Sequence, residues 1–153
     1  MIKEFVVAWD TYKDKLEEYI KTHEQKEYDN YEALVKLVFE HIVNQHMKAV
    51  YMDIWDGPYK GFDISKLVEI DHGDYQGTLL YMIPFDTYQP SAREYVYTFV
   101  EYGSCSVCDT LQGILDSGHD YSHRRPSESQ AKDYMGLCLY ILQNCHWLME
   151  REK

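Results

Sequence analysis

Two cysteines three residues apart are the first candidates for chemistry in this sequence. Cys105 and Cys108 stand in the segment 102–114, YGSCSVCDTLQGI, just before Asp109 and an apolar run with helical spacing. Such a pair can supply two of the four ligands of a zinc site, or a redox dithiol whose pKa is lowered at a helix start. It can also be two small side chains buried beside a helix cap.

The remaining cysteines weaken the zinc interpretation. Cys138 and Cys145 are seven residues apart, which on a helix is two turns and roughly 10 Å, too far to clamp one ion together. A redox dithiol would follow a strand in a βαβ pattern, which is not indicated here. We therefore predict a structural helix start with no metal at Cys105 and Cys108, and burial of Cys138 and Cys145. A metal or redox role for the first pair stays open as the alternative.

Acidic loops supply a second set of candidates. Asp71, His72, Asp74 and Asp86 can gather at one end of a sheet, where they would bind a divalent metal or act as acid and base. No spacing enforces this arrangement. The sequence contains no nucleophile-elbow pattern and no phosphate-binding glycine loop.

The elements that must position these residues begin with helices. Residues 11–22 and 29–50 carry apolar side chains at helical intervals, and Asp29 or Asn30 can cap the second helix. The apolar positions are Tyr12, Leu16, Tyr19 and Ile20 in the first, and Tyr31, Leu34, Val35, Val38, Phe39, Ile42, Val43 and Met47 in the second.

After Gly57-Pro58 the apolar period changes to two, which predicts strands. Three alternating runs are joined by the short loops HGDYQG and DTYQPSA, so neighbouring strands should be antiparallel and form a meander. Apolar residues on both faces of the second strand, at about 78–84, predict that it is well covered. Pro84 belongs at a strand end or an edge. The runs are Phe62–Ile70, Leu79–Phe85 and Tyr95–Val100.

Two helices complete the predicted chain. Ser104 or Ser106 can cap a run that contains Leu111, Ile114 and Leu115. Ser127 and Gln130 form a capping box for a last helix at about 127–149. Its apolar stripe is Ala131, Tyr134, Met135, Cys138, Ile141, Leu142, Cys145, Leu148 and Met149. The predicted fold is one α+β domain over residues 1–153, with an antiparallel meander of at least three strands between N- and C-terminal helix pairs.

Charge and tyrosine content indicate the kind of surface. The formal net charge is −11, and residues 61–120 carry ten acidic and two basic side chains. This balance argues against direct nucleic-acid binding. Fifteen tyrosines suit half-buried sheets and protein interfaces. No apolar run approaches the roughly 20 residues that span a bilayer, and the stretch Phe5–Trp9 is too short for a secretory signal. We expect a cytoplasmic protein that does not bind membranes.

Two segments resemble a known family. Residues 70–90, IDHGDYQGTLLYMIPFDTYQP, and 100–114, VEYGSCSVCDTLQGI, resemble a family of small, mostly uncharacterised proteins of tailed bacteriophages. The helix at 131–143, AKDYMGLCLYILQ, is similar to the segment that follows in that family, so the resemblance covers about residues 60–145. A glycine is common there where Val107 stands here. The resemblance carries no catalytic assignment and implies a viral context, in which small acidic proteins often bind and block host enzymes.

These observations favour a binding protein over an enzyme. We predict that it binds, and inhibits, a host protein with a basic, nucleic-acid-handling or defence site, and that it needs no cofactor. The predicted binding surface consists of Asp71, Asp74, Tyr75, Asp86, Tyr88 and Asp109. The alternative is a small metal- or thiol-dependent enzyme using Cys105, Cys108 and the Asp71–Asp74 loop. A third possibility is a homodimer formed through the helix at 127–149.

Overall fold

Helices surround one face of a four-stranded antiparallel sheet. The structure is a computed structural model that describes residues 1–51, 61–73, 77–103, 109–116 and 124–149. The helices are α1 (Lys3–Thr22), α2 (Tyr31–Val38), α3 (Asn44–Tyr51), α4 (Thr110–Asp116) and α5 (Glu128–Gln143). The strands are β1 (Val68–Gly73), β2 (Gly77–Pro84), β3 (Tyr95–Tyr102) and β4 (His146–Trp147), in the order β1-β2-β3-β4. The predicted α+β fold with an antiparallel meander is therefore confirmed.

Helix α1 is longer than its pattern predicted. It begins at Lys3 rather than near residue 11, because Phe5, Ala8 and Trp9 lie on the same buried stripe as Leu16 and Ile20. The sequence prediction treated the first apolar residues only as a short run, whereas they are the first turns of an amphipathic helix.

Helices α2 and α3 form one continuous rod, as predicted for residues 29–50. The side chain of Asn30 caps its start by accepting a hydrogen bond of 2.8 Å from Ala33 N. A π-helical turn, Phe39–Val43, joins the two helices, and Asn44 N donates to Phe39 O across it. All eight apolar residues predicted to share one face, from Tyr31 to Met47, are buried.

The first predicted strand is shorter than expected. Strand β1 starts at Val68, whereas Phe62 forms only an isolated bridge with Phe85. Between them Ile64–Lys66 is a 3₁₀ turn, because the carboxylate of Asp63 accepts from the backbone N and hydroxyl of Ser65 and closes the chain locally. Pro84 ends β2, where a residue without a backbone N–H is tolerated.

The two faces of the sheet differ in how far their side chains are buried. Residues of β2 and β3 that point towards the helices are buried or half-buried, and Thr98 Oγ1 donates a 2.7 Å hydrogen bond to Ile141 O of α5. On the opposite face Leu80 and Met82 are only half-buried, while Val68 and Ile70 of β1 are 49% and 45% exposed. The prediction that both faces of β2 are well covered is therefore wrong for the outer face.

The last helix is shorter than the predicted 127–149. Its capping box of Ser127 and Gln130 is confirmed, but the helix ends at Gln143. Asn144 then donates from its side chain to Phe99 O at 3.2 Å, and His146–Trp147 pairs with β3. An edge of the sheet offers the backbone hydrogen bonds that another helical turn would have supplied. Leu148 and Met149 consequently lie outside the stripe and are 38% and 44% exposed.

The apolar face of α5 is used within the chain. Tyr134, Cys138, Ile141 and Leu142 are fully buried in the same core as α1, α2 and the sheet. This face of α5 therefore belongs to the core of the chain. Across the described residues, no helix combines the length and apolar content that crossing a bilayer requires.

Candidate acidic binding cleft

A cleft of about 490 Å³ lies where the start of α2, strands β1 to β3 and α4 meet. Its described lining contains no lysine, arginine or histidine. We call it the acidic cleft, after five carboxylates that line it together with three tyrosines: Asp29, Glu32, Glu69, Asp71 and Asp109, with Tyr31, Tyr81 and Tyr102.

Strand β1 brings two of these carboxylates to the cleft. Glu69 and Asp71 occupy alternate positions, so both project from the face of the sheet that packs on the helices. Every residue of β1 is exposed, since it is the edge strand. Among described residues neither carboxylate forms an ion pair. Negative charge on this edge is therefore available to a partner.

A tyrosine orients one of these carboxylates. Tyr102, at the end of β3, donates its hydroxyl to Asp71 Oδ1 at 2.6 Å. The bond spans β2 and fixes one carboxylate oxygen. This bond therefore holds the Asp71 side chain in place at the cleft.

Asp109 has a structural role that the sequence prediction did not foresee. It is buried, at 8% exposure, and its Oδ1 accepts from the Tyr31 hydroxyl at 2.6 Å and from Gln112 N at 3.1 Å. Its Oδ2 accepts from Gly103 N at 3.0 Å. Asp109 thus caps α4, which begins at Thr110, and supplies little exposed charge. We correct its predicted place on an exposed surface accordingly.

Tyr31 links this cap to helix α2. Its hydroxyl donates to Asp109 and also accepts from Leu111 N at 3.2 Å. Burial, followed by the hydrogen bond to Asp109, raises the pKa of Tyr31 well above its usual value. The phenol therefore remains neutral and acts as a donor that holds the wall of the cleft together.

Tyr81 differs from the other two tyrosines of the cleft. Its side chain is fully buried, yet its hydroxyl has no partner with hydrogen-bond geometry. Burial raises its pKa far above the usual value, and the neighbouring Glu69 carboxylate adds to the shift without completing a geometrically sound bond. Tyr81 lines the cleft and lies opposite Glu69 in the sheet. An unsatisfied buried hydroxyl lowers the stability of the folded protein, and such groups are rare in native structures.

The other predicted acidic residues are not gathered at this place. Asp71 pairs with Leu79 near the start of β2, whereas Asp86 follows the end of β2. At about 3.3 Å per residue, the seven positions from Leu79 to Asp86 place the two aspartates roughly 20 Å apart along the sheet. His72 points to the opposite face from Asp71. The arrangement in which Asp71, His72 and Asp86 would gather at one end of the sheet is therefore not observed.

The predicted surface residues are likewise divided between two ends of the sheet. Asp86 and Tyr88 are exposed, Tyr88 to 91%, in the loop between β2 and β3. Asp71 and Asp109 line the acidic cleft. Asp74 and Tyr75 lie outside the described residues.

The cysteine predictions have two outcomes. Cys138 and Cys145 are fully buried, as predicted, although Cys145 follows α5 rather than lying on it. Burial raises the pKa of both thiols to about 12, so they are poor nucleophiles and poor metal ligands. Cys105 and Cys108, with the predicted caps Ser104 and Ser106, lie outside the described residues. Within the described ranges, no three His, Cys, Asp or Glu side chains are grouped to hold a metal ion.

Sequence reasoning missed Glu69 and the tyrosines that complete the cleft. The alternation of Glu69 and Asp71 with Val68 and Ile70 carried a signal, because it places both acids on one face of a predicted strand. The partners of that face become visible only when β1 is in register with β2, where Glu69 is opposite Tyr81.

Comparisons with known proteins give no relative for this chain. No family model matches the sequence, and neither the curated proteins nor the solved structures include a significant match.

Proposed function

We propose that this protein acts by binding a basic surface of another protein, with strand β1 and the acidic cleft as its contact region. The observation that carries the proposal is the unbalanced charge there. Five carboxylates line the cleft, and its described lining has no basic side chain. Glu32 pairs with Lys36, but Glu69 and Asp71 form no ion pair among the described residues, and a cationic partner relieves the repulsion between such like charges when it binds.

The exposed edge strand β1 favours a protein as the binding partner. Strand β1 is fully exposed and ends the sheet, so its outer backbone groups can pair with an incoming chain. Val68 and Ile70 are about half exposed on one side of this strand, while Glu69 and Asp71 stand on the other. Apolar residues next to a charged rim are typical of protein interaction sites.

The resemblance to small phage proteins suggests which partner to seek. In that context the partner is a bacterial host protein whose basic site handles nucleic acid or serves in defence, and binding would inhibit it. An acidic surface that occupies such a site competes with phosphate groups for the same cations.

Charge-neutralising variants test the proposal. Glu69→Gln with Asp71→Asn removes two negative charges from β1, while Asp14→Asn with Glu18→Gln removes two from exposed positions of α1. Host proteins captured by the wild-type chain are identified, purified and titrated against each variant at low and high salt. We expect the β1 variant to bind about tenfold or more weakly, and the α1 variant to bind nearly as the wild type does.

Three results would contradict this proposal. Equal losses in both variants would indicate a general charge effect rather than a site. An affinity that neither the β1 variant nor salt alters would exclude the acidic region as the contact surface. Turnover of a substrate by the purified protein would support an enzyme instead.

A further inference from the structure

The buried hydroxyl of Tyr81 and the carboxylates beside it point to a more specific ligand. We propose that the acidic cleft binds a guanidinium group, presented by an arginine side chain of the basic partner. That the guanidinium belongs to a protein partner rests on the proposed function. The preference of the cleft for a guanidinium follows from the side chains that line it.

The first observation is the unpartnered hydroxyl. Tyr81 has no exposed surface, lines the cleft and lacks a hydrogen-bond partner for its hydroxyl. A ligand N–H can donate to the hydroxyl oxygen, which removes the cost of an unsatisfied buried group. Glu69 stands opposite Tyr81 in the sheet, so a cation at this place meets a phenol oxygen and a carboxylate together.

The second observation concerns which carboxylates remain for a ligand. Both oxygens of Asp109 accept hydrogen bonds within the chain, and Glu32 pairs with Lys36 at 3.6 Å. Glu69 and Asp71 form no ion pair with any described residue. Glu69 therefore stands opposite Tyr81, and Asp71, one of whose oxygens accepts from Tyr102, lies two residues further along the same edge strand.

The spacing of these acceptors favours a guanidinium over a metal ion. Glu69 and Asp71 are two residues apart on a strand, so their Cα atoms are separated by roughly 7 Å. A metal ion requires several ligands converging on a single point, and the described residues show no such group of three. A guanidinium carries five N–H donors in a planar fork, so it can reach spread acceptors simultaneously.

Tyr102 and the size of the cleft agree with this ligand. Arginine stacks on aromatic rings more readily than lysine does, and the half-buried Tyr102 lines this cleft. The volume of about 490 Å³ lies within the range of about 300–1,000 Å³ typical of small-ligand pockets. The pocket can therefore admit one side chain.

Small analogues of single side chains test the assignment on the full purified chain. The probes are N-acetyl-arginine amide, its lysine counterpart and its citrulline counterpart, which has nearly the shape of arginine without the charge. Binding is followed by NMR of the tyrosine rings. We expect saturable shifts at Tyr31, Tyr81 and Tyr102 with the arginine probe, binding at least about fivefold weaker with lysine, and no saturation with citrulline.

The Tyr81→Phe variant separates a ligand role from a structural one. It removes only the hydroxyl, which has no partner in the free protein, so thermal stability should be unchanged or higher. Affinity for the arginine probe should fall about five- to tenfold, which corresponds to one lost hydrogen bond. Tyr12→Phe is the matched control, because Tyr12 lies on α1 and is not among the residues that line the cleft, and it should leave affinity unchanged.

The possible outcomes distinguish this inference from the proposed function. Equal binding of arginine, lysine and citrulline probes, shifts away from the cleft, or unchanged affinity in Tyr81→Phe would overturn the guanidinium assignment. Tighter saturation of the same shifts by Mg²⁺ or Ca²⁺ would overturn it in favour of a metal site. If the guanidinium assignment fails but a captured partner still binds the β1 variant more weakly than the wild type, the proposed function stands without the guanidinium site.

Discussion

The hydroxyl of Tyr31 donates a 2.6 Å hydrogen bond to Oδ1 of Asp109, a residue 78 positions further along the chain. Both side chains are buried, at 6% and 8% exposure. The same hydroxyl accepts from Leu111 N, and the same carboxylate accepts from Gln112 N. One contact therefore fastens the start of α4 to the start of α2, and it forms one wall of the acidic cleft.

Removal of the Tyr31 hydroxyl should destabilise the protein. Tyr31→Phe takes away a charge-assisted bond and leaves Leu111 N without its acceptor, so the free energy of unfolding should fall by about 1.5–3 kcal/mol. Urea unfolding measures the loss. Tyr88→Phe, at a position that is 91% exposed, should change the value by less than about 0.5 kcal/mol. Equal stability of the two variants would show that the Tyr31–Asp109 bond contributes nothing.

Two glycine-to-alanine substitutions should change the free energy of unfolding in opposite directions. Gly61 has a φ of +81°, and an added Cβ would stand 2.5 Å from Asn44 Oδ1. Asn44 cannot easily move, because its side chain accepts from Phe62 N at 2.8 Å and donates to Phe62 O at 3.0 Å. Gly61→Ala should therefore lower the free energy of unfolding by about 1–3 kcal/mol.

Gly136 is the matched control for that substitution. It lies within α5, and no atom stands within 4 Å of an added Cβ. Gly136→Ala should raise the free energy of unfolding by about 0.5–1 kcal/mol, because alanine loses less backbone freedom in a helix. Thermal unfolding of both variants measures whether each substitution raises or lowers stability. If Gly61→Ala raised the stability, the hydrogen bonds between Asn44 and Phe62 would not hold Asn44 in place in solution.

Phe62 should be among the costliest residues to truncate. Its ring packs against those of Phe5, Phe39, Phe85 and Trp147, with centroids 4.6–6.1 Å away. Phe62→Ala should lower the free energy of unfolding by about 3–5 kcal/mol, since it leaves a cavity where helices and sheet meet.

Val7→Ala is the comparison for the Phe62 variant, because Val7 is 71% exposed on α1. It should cost less than about 0.5 kcal/mol. Chemical unfolding with circular dichroism measures both. A loss below about 1 kcal/mol in Phe62→Ala would indicate that the aromatic cluster is not packed in solution.

The buried thiols should make stability depend on pH under alkaline conditions. The pKa of Cys138 and of Cys145 is raised from 9.0 to about 12, so the folded state keeps protons that the unfolded chain releases. Their contribution is complete below pH 9 and is lost as the pH rises towards 12. Cys138→Ala should therefore show a shallower fall in unfolding free energy above pH 9 than the wild type, measured by urea unfolding at each pH.

Thiol labelling provides a second check on the same two residues. In the folded protein, peptide-resolved labelling of Cys138 and Cys145 by a polar reagent should be slow and should become fast in urea. Rapid labelling under native conditions, or an unchanged alkaline slope in Cys138→Ala, would contradict their burial.

Much of the helical structure could be predicted from local pattern. The face from Tyr31 to Met47 repeats every three or four residues, and Ser127 with Gln130 marks a helix start, because capping and periodicity act within a few residues. The strand predicted at about 78–84 is observed at Gly77–Pro84 for the same reason. Chain order and short loops were enough to predict an antiparallel meander.

Tertiary contacts decided where these elements end and what the cleft contains. The apolar period of the last helix continues past Gln143, but the unpaired edge of β3 competes for the chain and makes His146–Trp147 a strand. Asp109 looked like an exposed acid, yet Tyr31, distant in sequence, buries it. Local pattern records which residues share a face. The partner of that face depends on register and packing over many tens of residues, which is why the Tyr81 hydroxyl beside Glu69 became visible only in the folded chain.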